Sequence, residues 1–189
     1  NFLLHIGGVY HVIKPEIDGA VWQERLNQWT SQRNFDYHKR FGVTHFTNLM
    51  SGDWDFDQMR RWKDDCDRAG ATWEAIRMDS AYIYLPPGGE RDRKLEEIAG
   101  NIRKASRVGV KVITMHWTLI PIWRNTRTPG RGGAVYSGFK LEDNWRELPV
   151  GEHGKVSYDE YWERIEYFLK NILPVCEECD VRLGVHPYD

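Results

Sequence analysis

The chain has 189 residues, a formal net charge of -2, and is 41% hydrophobic and 13% aromatic. That is enough apolar material for one domain with a real core and too much for a disordered chain. The near-neutral balance argues against nucleic acid as a partner, because no basic face dominates. No apolar run is long enough for a bilayer span, so no membrane is expected either. Three cysteines, Cys66, Cys176 and Cys179, are an odd and small number that suits a reducing, cytoplasmic compartment better than a disulfide scaffold. Cys176 and Cys179 make a C-x-x-C late in a predicted helix, but no second pair completes a zinc site.

In chain order, Leu3 to Tyr10 reads as a first strand ending near Gly7 and Gly8. A helical reading dominates from Asp18 to Arg40 and is broken or extended around Thr30 to Asn34. Gly42 ends it. Val43 to Met50 is a second strand, with Asn48 near its carboxyl end, followed by a Ser51-Gly52-Asp53 turn. Asp53 or Asp55 can cap the next helix, whose apolar positions Phe56, Met59, Trp62, Cys66 and Ala69 recur at helical spacing. Gly70 closes that helix, and Ala71 to Met78 is a third strand with Glu74 and Arg77 on opposite faces. Pro86 to Gly89 is a loop by composition. A helix over 91–107 carries the stripe Leu95, Ile98, Ile102 and Ala105, and Gly109 ends it. Val110 to Trp117 is a fourth strand with His116 and Trp117 at its end.

The connection from Thr118 to Val156 reads as irregular, and a loop this long inside a compact domain is usually functional. Ser157 and Glu160 form a capping box for a last helix bearing Trp162, Ile165, Phe168, Leu169 and Ile172, which Pro174 is expected to kink. Val181 to Val185 is a fifth strand leading to His186. Alternation puts Val181, Leu183 and Val185 on one face and Arg182, Gly184 and His186 on the other. The first face suits packing under helices. The second delivers an imidazole to a strand end, where parallel α/β proteins place their chemistry and where it can bind a divalent metal or serve as a hydrogen-bonded structural histidine.

Strands alternating with helices predict a single α/β domain over 1–189 with a parallel sheet. Two architectures compete: a partial (β/α)8 TIM barrel of about five βα strands, and an open five-stranded doubly wound sheet. Length favours the doubly wound sheet, since a full barrel takes about 250 residues.

The stretch Arg124 to Ala134, RNTRTPGRGGA, and the tail from Tyr161 to Pro187, YWERIEYFLKNILPVCEECDVRLGVHP, resemble the mannonate dehydratase family. The order of elements from Val43 onward is similar too, and the likeness is strongest in the last third. This family lies in the xylose-isomerase-like TIM-barrel superfamily, and the likeness is to its N-terminal portion. The resemblance therefore implies the barrel, with remaining strands expected beyond residue 189 or on another chain. It further implies a metal-dependent lyase, usually with Mn2+, that dehydrates a sugar acid such as D-mannonate to a 2-keto-3-deoxy acid. A TIM-barrel sugar isomerase or epimerase is one alternative, and a non-catalytic carbohydrate-binding or scaffold domain is another.

In the family the His-Pro histidine ligates the metal, which carries over to His186. The acid expected just after His-Pro is Tyr188 here, and the next acid is Asp189, a candidate catalytic residue. The other family ligands, a cysteine, a second histidine and an aspartate, belong to later strands. Dehydration also needs groups that move protons and hold a carboxylate. Arg124 and Arg127 can clamp a carboxylate in a guanidinium fork, or form loop salt bridges. His116 can donate a proton, support the metal site, or be structural. Trp117 can stack on a sugar or pack in the core, and Asn48 can bind a hydroxyl or cap a helix. The expected partners are a small-molecule sugar acid and either further chain or a second copy in a homo-oligomer.

Overall fold

The computed structural model describes residues 7–9, 29–119, 124–141, 147, 150–151 and 153–186. Most of the expected first strand, the helix before Trp29, and Asp189 lie outside the described residues. Strand β1 (Gly7–Val9) is followed by α1 (Gln32–Lys39), β2 (His45–Met50), α2 (Phe56–Ala69) and β3 (Thr72–Met78). A 3-10 turn (Ala81–Tyr84) leads to α3 (Gly89–Val108) and β4 (Val112–Met115), then to a hairpin of β5 (Thr126–Pro129) and β6 (Val135–Gly138). The chain continues through α4 (Tyr158–Glu178) to β7 (Arg182–Val185).

The helix boundaries follow from local chemistry. Ser31 caps α1, so the break expected around Thr30 to Asn34 is a helix start. Asp55, not Asp53, caps α2: its Oδ1 accepts from the Asp57 and Gln58 backbone N–H groups at 2.9 and 3.1 Å. Gly70 ends the same helix at φ 63°, a left-handed conformation that a Cβ disfavours. The Ser157–Glu160 capping box is formed. Pro174 does not interrupt α4, which runs from Tyr158 to Glu178.

The main sheet has the order β1-β2-β3-β4-β7, and every neighbouring pair is parallel. Each strand therefore lies beside its predecessor in the main sheet. With right-handed crossovers, strands added always on the same side place every helix on one face. A doubly wound sheet needs a reversal of strand order, and this sheet has none. Of the two expected architectures the structure is the partial barrel, not closed among the described residues, whose free face is the inner one.

The helix face holds the core. Trp29, Trp62 and Trp73 meet with ring centroids 5.5 to 6.0 Å apart, and Phe35 of α1 meets Phe46 of β2 edge-on at 5.2 Å. Such pairs add about 0.5–1.5 kcal/mol each beyond area burial. Where β2 meets β3 the register slips: Phe46 pairs with Trp73, but Thr47 pairs with Ala75. The bulge leaves Glu74 exposed and sets which side the rest of β3 presents.

Polar ties hold the helices to the loops. Asn101 of α3 is 1% exposed; its Nδ2 donates to Gly52 O at 2.8 Å and its Oδ1 accepts from Trp54 N–H at 2.9 Å. Asn101→Ala leaves those backbone groups unpaired and is expected to cost about 3 kcal/mol, read as a lower denaturation midpoint in urea with an unchanged slope. Between α3 and α4, Arg91 Nη1 donates to both Glu163 oxygens at 2.9 and 2.8 Å and lies 3.8 Å from the centre of the Tyr167 ring. Arg164 Nη1 donates to Ile83 O at 2.7 Å, and Tyr82 Oη donates to Arg164 O at 2.9 Å. These contacts orient α4, the helix that feeds β7. Ser106 Oγ and Lys111 Nζ then hold Cys179 O at 2.7 and 3.0 Å, pinning the turn between them.

The long connection is not wholly irregular. Its antiparallel hairpin β5–β6 forms a sheet separate from the main one. Sequence reading missed it because Thr126–Pro129 is short and arginine-bearing, with no apolar alternation to mark a strand. No described helix is long and apolar enough to cross a membrane.

Candidate active site

Parallel strands in register point paired residues to the same face. Phe46 and Trp73 mark the helix side of β2 and β3. Thr47, Ala75 and Val112 are successive partners on the opposite side, as are Leu49, Arg77, Thr114 and Gly184. Two residues further along their strands stand His116 and His186, so the inner face ends in a row of Arg77, Thr114 and Gly184 beneath two imidazoles. The backbone fixes this arrangement: His186 N–H donates to Met115 O at 2.9 Å, extending the β4–β7 ladder by one rung.

The His116 and His186 rings lie 4.8 Å apart between centroids, at an interplanar angle of 53°. His116 is buried, whereas His186 is exposed. Burial, then the Arg77 cation, then His186 hold the His116 imidazole below the ordinary histidine range, so its neutral form is favoured. Gly184 contributes no side chain to the row; a Cβ there would meet Thr114 Cγ2 at 3.5 Å.

The structure thus brings together His116 and His186 of the expected site residues and places others elsewhere. Asn48 lies on the helix side, 4% exposed, with its Oδ1 accepting from Trp73 Nε1 at 2.9 Å. It braces the tryptophan cluster and neither faces the imidazoles nor caps a helix. Trp117, one residue past His116, points the other way. Its ring meets Phe168 of α4 at 5.8 Å, and its carbonyl accepts from Tyr161 Oη. A stacking role on a sugar gives way to packing under α4. Arg127 is exposed on β5, and Arg124 is exposed just before it. Neither stands on the inner face of the main sheet. Arg77 is the residue that sequence reading left without a role. The available signal was a lone guanidinium near the carboxyl end of a strand, but its direction depends on the bulge.

For a divalent metal the donor set is partial. His186 offers an imidazole at a strand end beside a second imidazole, which fits one or two nitrogen ligands. Among the described residues no group of three or more His, Cys, Asp or Glu is placed to hold an ion. Cys66 and Cys176 are buried on helices away from the two imidazoles, and burial pushes the Cys66 thiol up to about 12 and also raises Cys176.

Comparison with known proteins bears on the family and the fold. The family model for D-mannonate dehydratase (UxuA) matches residues 140–189. The curated mannonate dehydratase of Thermotoga maritima is 25% identical, covering 72% of this chain and 47% of its own length. That of Shouchella clausii is 24% identical with the same coverage. The chain spans about half the length of the curated relatives it matches. Among solved structures, mannonate dehydratase from Streptococcus suis serotype 2 superposes with a TM-score of 0.66 at 17% identity, covering 98% of this chain and 54% of that one. D-psicose 3-epimerase from Clostridium cellulolyticum H10 gives 0.52 at 13% identity, covering 80% and 44%. These two likenesses concern the fold. The family model over the last quarter of the chain and the curated relatives over 72% of it make this chain similar to mannonate dehydratases.

Proposed function

We propose that the chain carries part of the active site of a metal-dependent hydro-lyase that dehydrates a D-mannonate-like sugar acid to a 2-keto-3-deoxy acid. The observation that supports this reading best is the pair His116 and His186, side by side at neighbouring strand ends on the face free of helices. His186 supplies one ligand to a divalent cation, most simply Mn2+. Ligands outside the described residues complete the set. When bound, such a cation supplies Lewis acidity that eases loss of a proton beside a carboxylate. His116, buried against His186 and Arg77, orients the ligand and offers a neutral imidazole to the substrate side. Asp189 follows His186 closely in sequence and is proposed as the acid that serves the departing hydroxyl.

The test is product analysis on the full-length protein with D-mannonate and Mn2+. Formation of a 2-keto-3-deoxy acid, detected by the thiobarbiturate colour reaction after periodate cleavage, is the expected result, and chelation with EDTA should remove it. A carbon skeleton returned with its water intact, as an epimer or isomer, would replace the lyase by a sugar isomerase or epimerase. Absence of any conversion, with no metal retained, would leave a carbohydrate-binding or scaffold domain.

A further inference from the structure

We propose that Arg77 recognises the carboxylate of the substrate and so sets the preference of this site for acids over neutral sugars. The inference rests on the lyase reading above and names the residue by which that site selects its substrate class.

Three observations carry it. First, placement: Arg77 pairs with Leu49 on one side and Thr114 on the other. It therefore shares a row with Thr114 and Gly184, below His116 and His186 and on the inner face. Second, its charge is not neutralised by any described residue. Among the described residues no carboxylate forms an ion pair with Arg77, while the buried Arg91 has Glu163 and the buried Arg164 has the Ile83 carbonyl. A half-buried guanidinium without a counter-charge carries a desolvation cost that a bound anion offsets. Third, the residues level with it across the sheet, Leu49, Thr114 and Gly184, are all uncharged. The row holds a threonine and a glycine, the residues above are imidazoles, and Arg182 lies lower on β7. No acidic side chain shares the Arg77, Thr114 and Gly184 row to compete for the fork. A planar guanidinium presents paired N–H donors that match the two oxygens of a carboxylate, a geometry that a neutral hydroxyl cannot reproduce. Gly184, beside Thr114, adds no side chain to that row.

The test compares ligands of equal length that differ in charge, on the full-length protein and its Arg77→Gln and Arg77→Lys variants. D-gluconate, a non-productive acid, and D-mannitol, a neutral hexitol of the same chain length, are titrated calorimetrically, and KM and kcat for D-mannonate are measured alongside. Arg77→Gln is expected to weaken D-gluconate binding and raise KM about 10- to 100-fold, as befits loss of a charged hydrogen-bonded pair. D-mannitol binding and kcat should change much less. Arg77→Lys, which keeps the charge and loses the fork, should fall between. Equal weakening of both ligands, or none, would overturn the assignment, as would a wild-type protein that binds D-gluconate no more tightly than D-mannitol. The two proposals fail separately. A protein that selects acids through Arg77 yet forms no 2-keto-3-deoxy acid refutes the lyase, whereas a KM and a D-gluconate affinity insensitive to Arg77→Gln refute only this residue's role. Should Arg77→Gln not fold, the Lys variant alone decides, because unchanged selectivity and KM there exclude the fork.

Discussion

Replacing His186 by alanine in the full-length protein is expected to lower turnover of the acid substrate by more than about 100-fold, at least the loss seen when a group that merely supports a metal ligand is removed. The same change should leave the melting temperature of the metal-free protein nearly unaltered. His186 is exposed, and the hydrogen bond that joins it to β4 comes from its backbone N–H to Met115 O, which alanine retains. Surface substitutions of this kind usually stay within about 0.5 kcal/mol. Elemental analysis provides the second readout: manganese content should fall with activity. Full turnover of the variant at saturating Mn2+ would remove His186 from the site, and a folding defect would show instead as a lower melting temperature at unchanged metal affinity per folded molecule.

The largest expected effect on stability lies behind that strand. Phe168 is 0% exposed, and its ring meets Tyr82 at 4.9 Å and Trp117 at 5.8 Å. It fills the space between α4, the turn after β3 and the end of β4. Phe168→Ala leaves a cavity there and is expected to cost about 3–5 kcal/mol, or a fall in melting temperature of roughly 10 °C for a protein of this size. Calorimetry or urea denaturation gives the value. Because Trp117 and His116 are adjacent in the chain, the variant also asks whether the strand end is held by this packing. The expected result is an unchanged KM at low temperature, where the variant is folded, since the backbone ladder through His186 N–H and Met115 O remains.

The separation between what could be read from residues and what could not follows the range of the forces involved. Caps and stops are local. Asp55, Gly70, Ser157 and Glu160 act within one turn of their own chain, so their roles follow from residue type and spacing alone. The stripes Met59–Trp62–Cys66–Ala69 and Leu95–Ile98–Ile102–Ala105 are likewise local patterns, and all eight side chains are buried where helical periodicity places them. The hairpin escaped because neither of its strands packs into the core, so neither carries a hydrophobic period.

The amino-acid order alone therefore sufficed for alternating strands and helices, the parallel sheet, the face of β7 that bears His186 and the likeness to mannonate dehydratases. Choosing barrel over doubly wound sheet, pairing His116 with His186, moving Asn48 and Trp117 beneath the helices and turning Arg77 inward all required the folded chain. The reason is physical. Alternation along one strand is a property of neighbouring residues, but strand order and register are set by contacts between segments far apart in the chain. A single slip of register, such as that between Phe46 and Thr47, reverses which side chains beyond it reach the inner face.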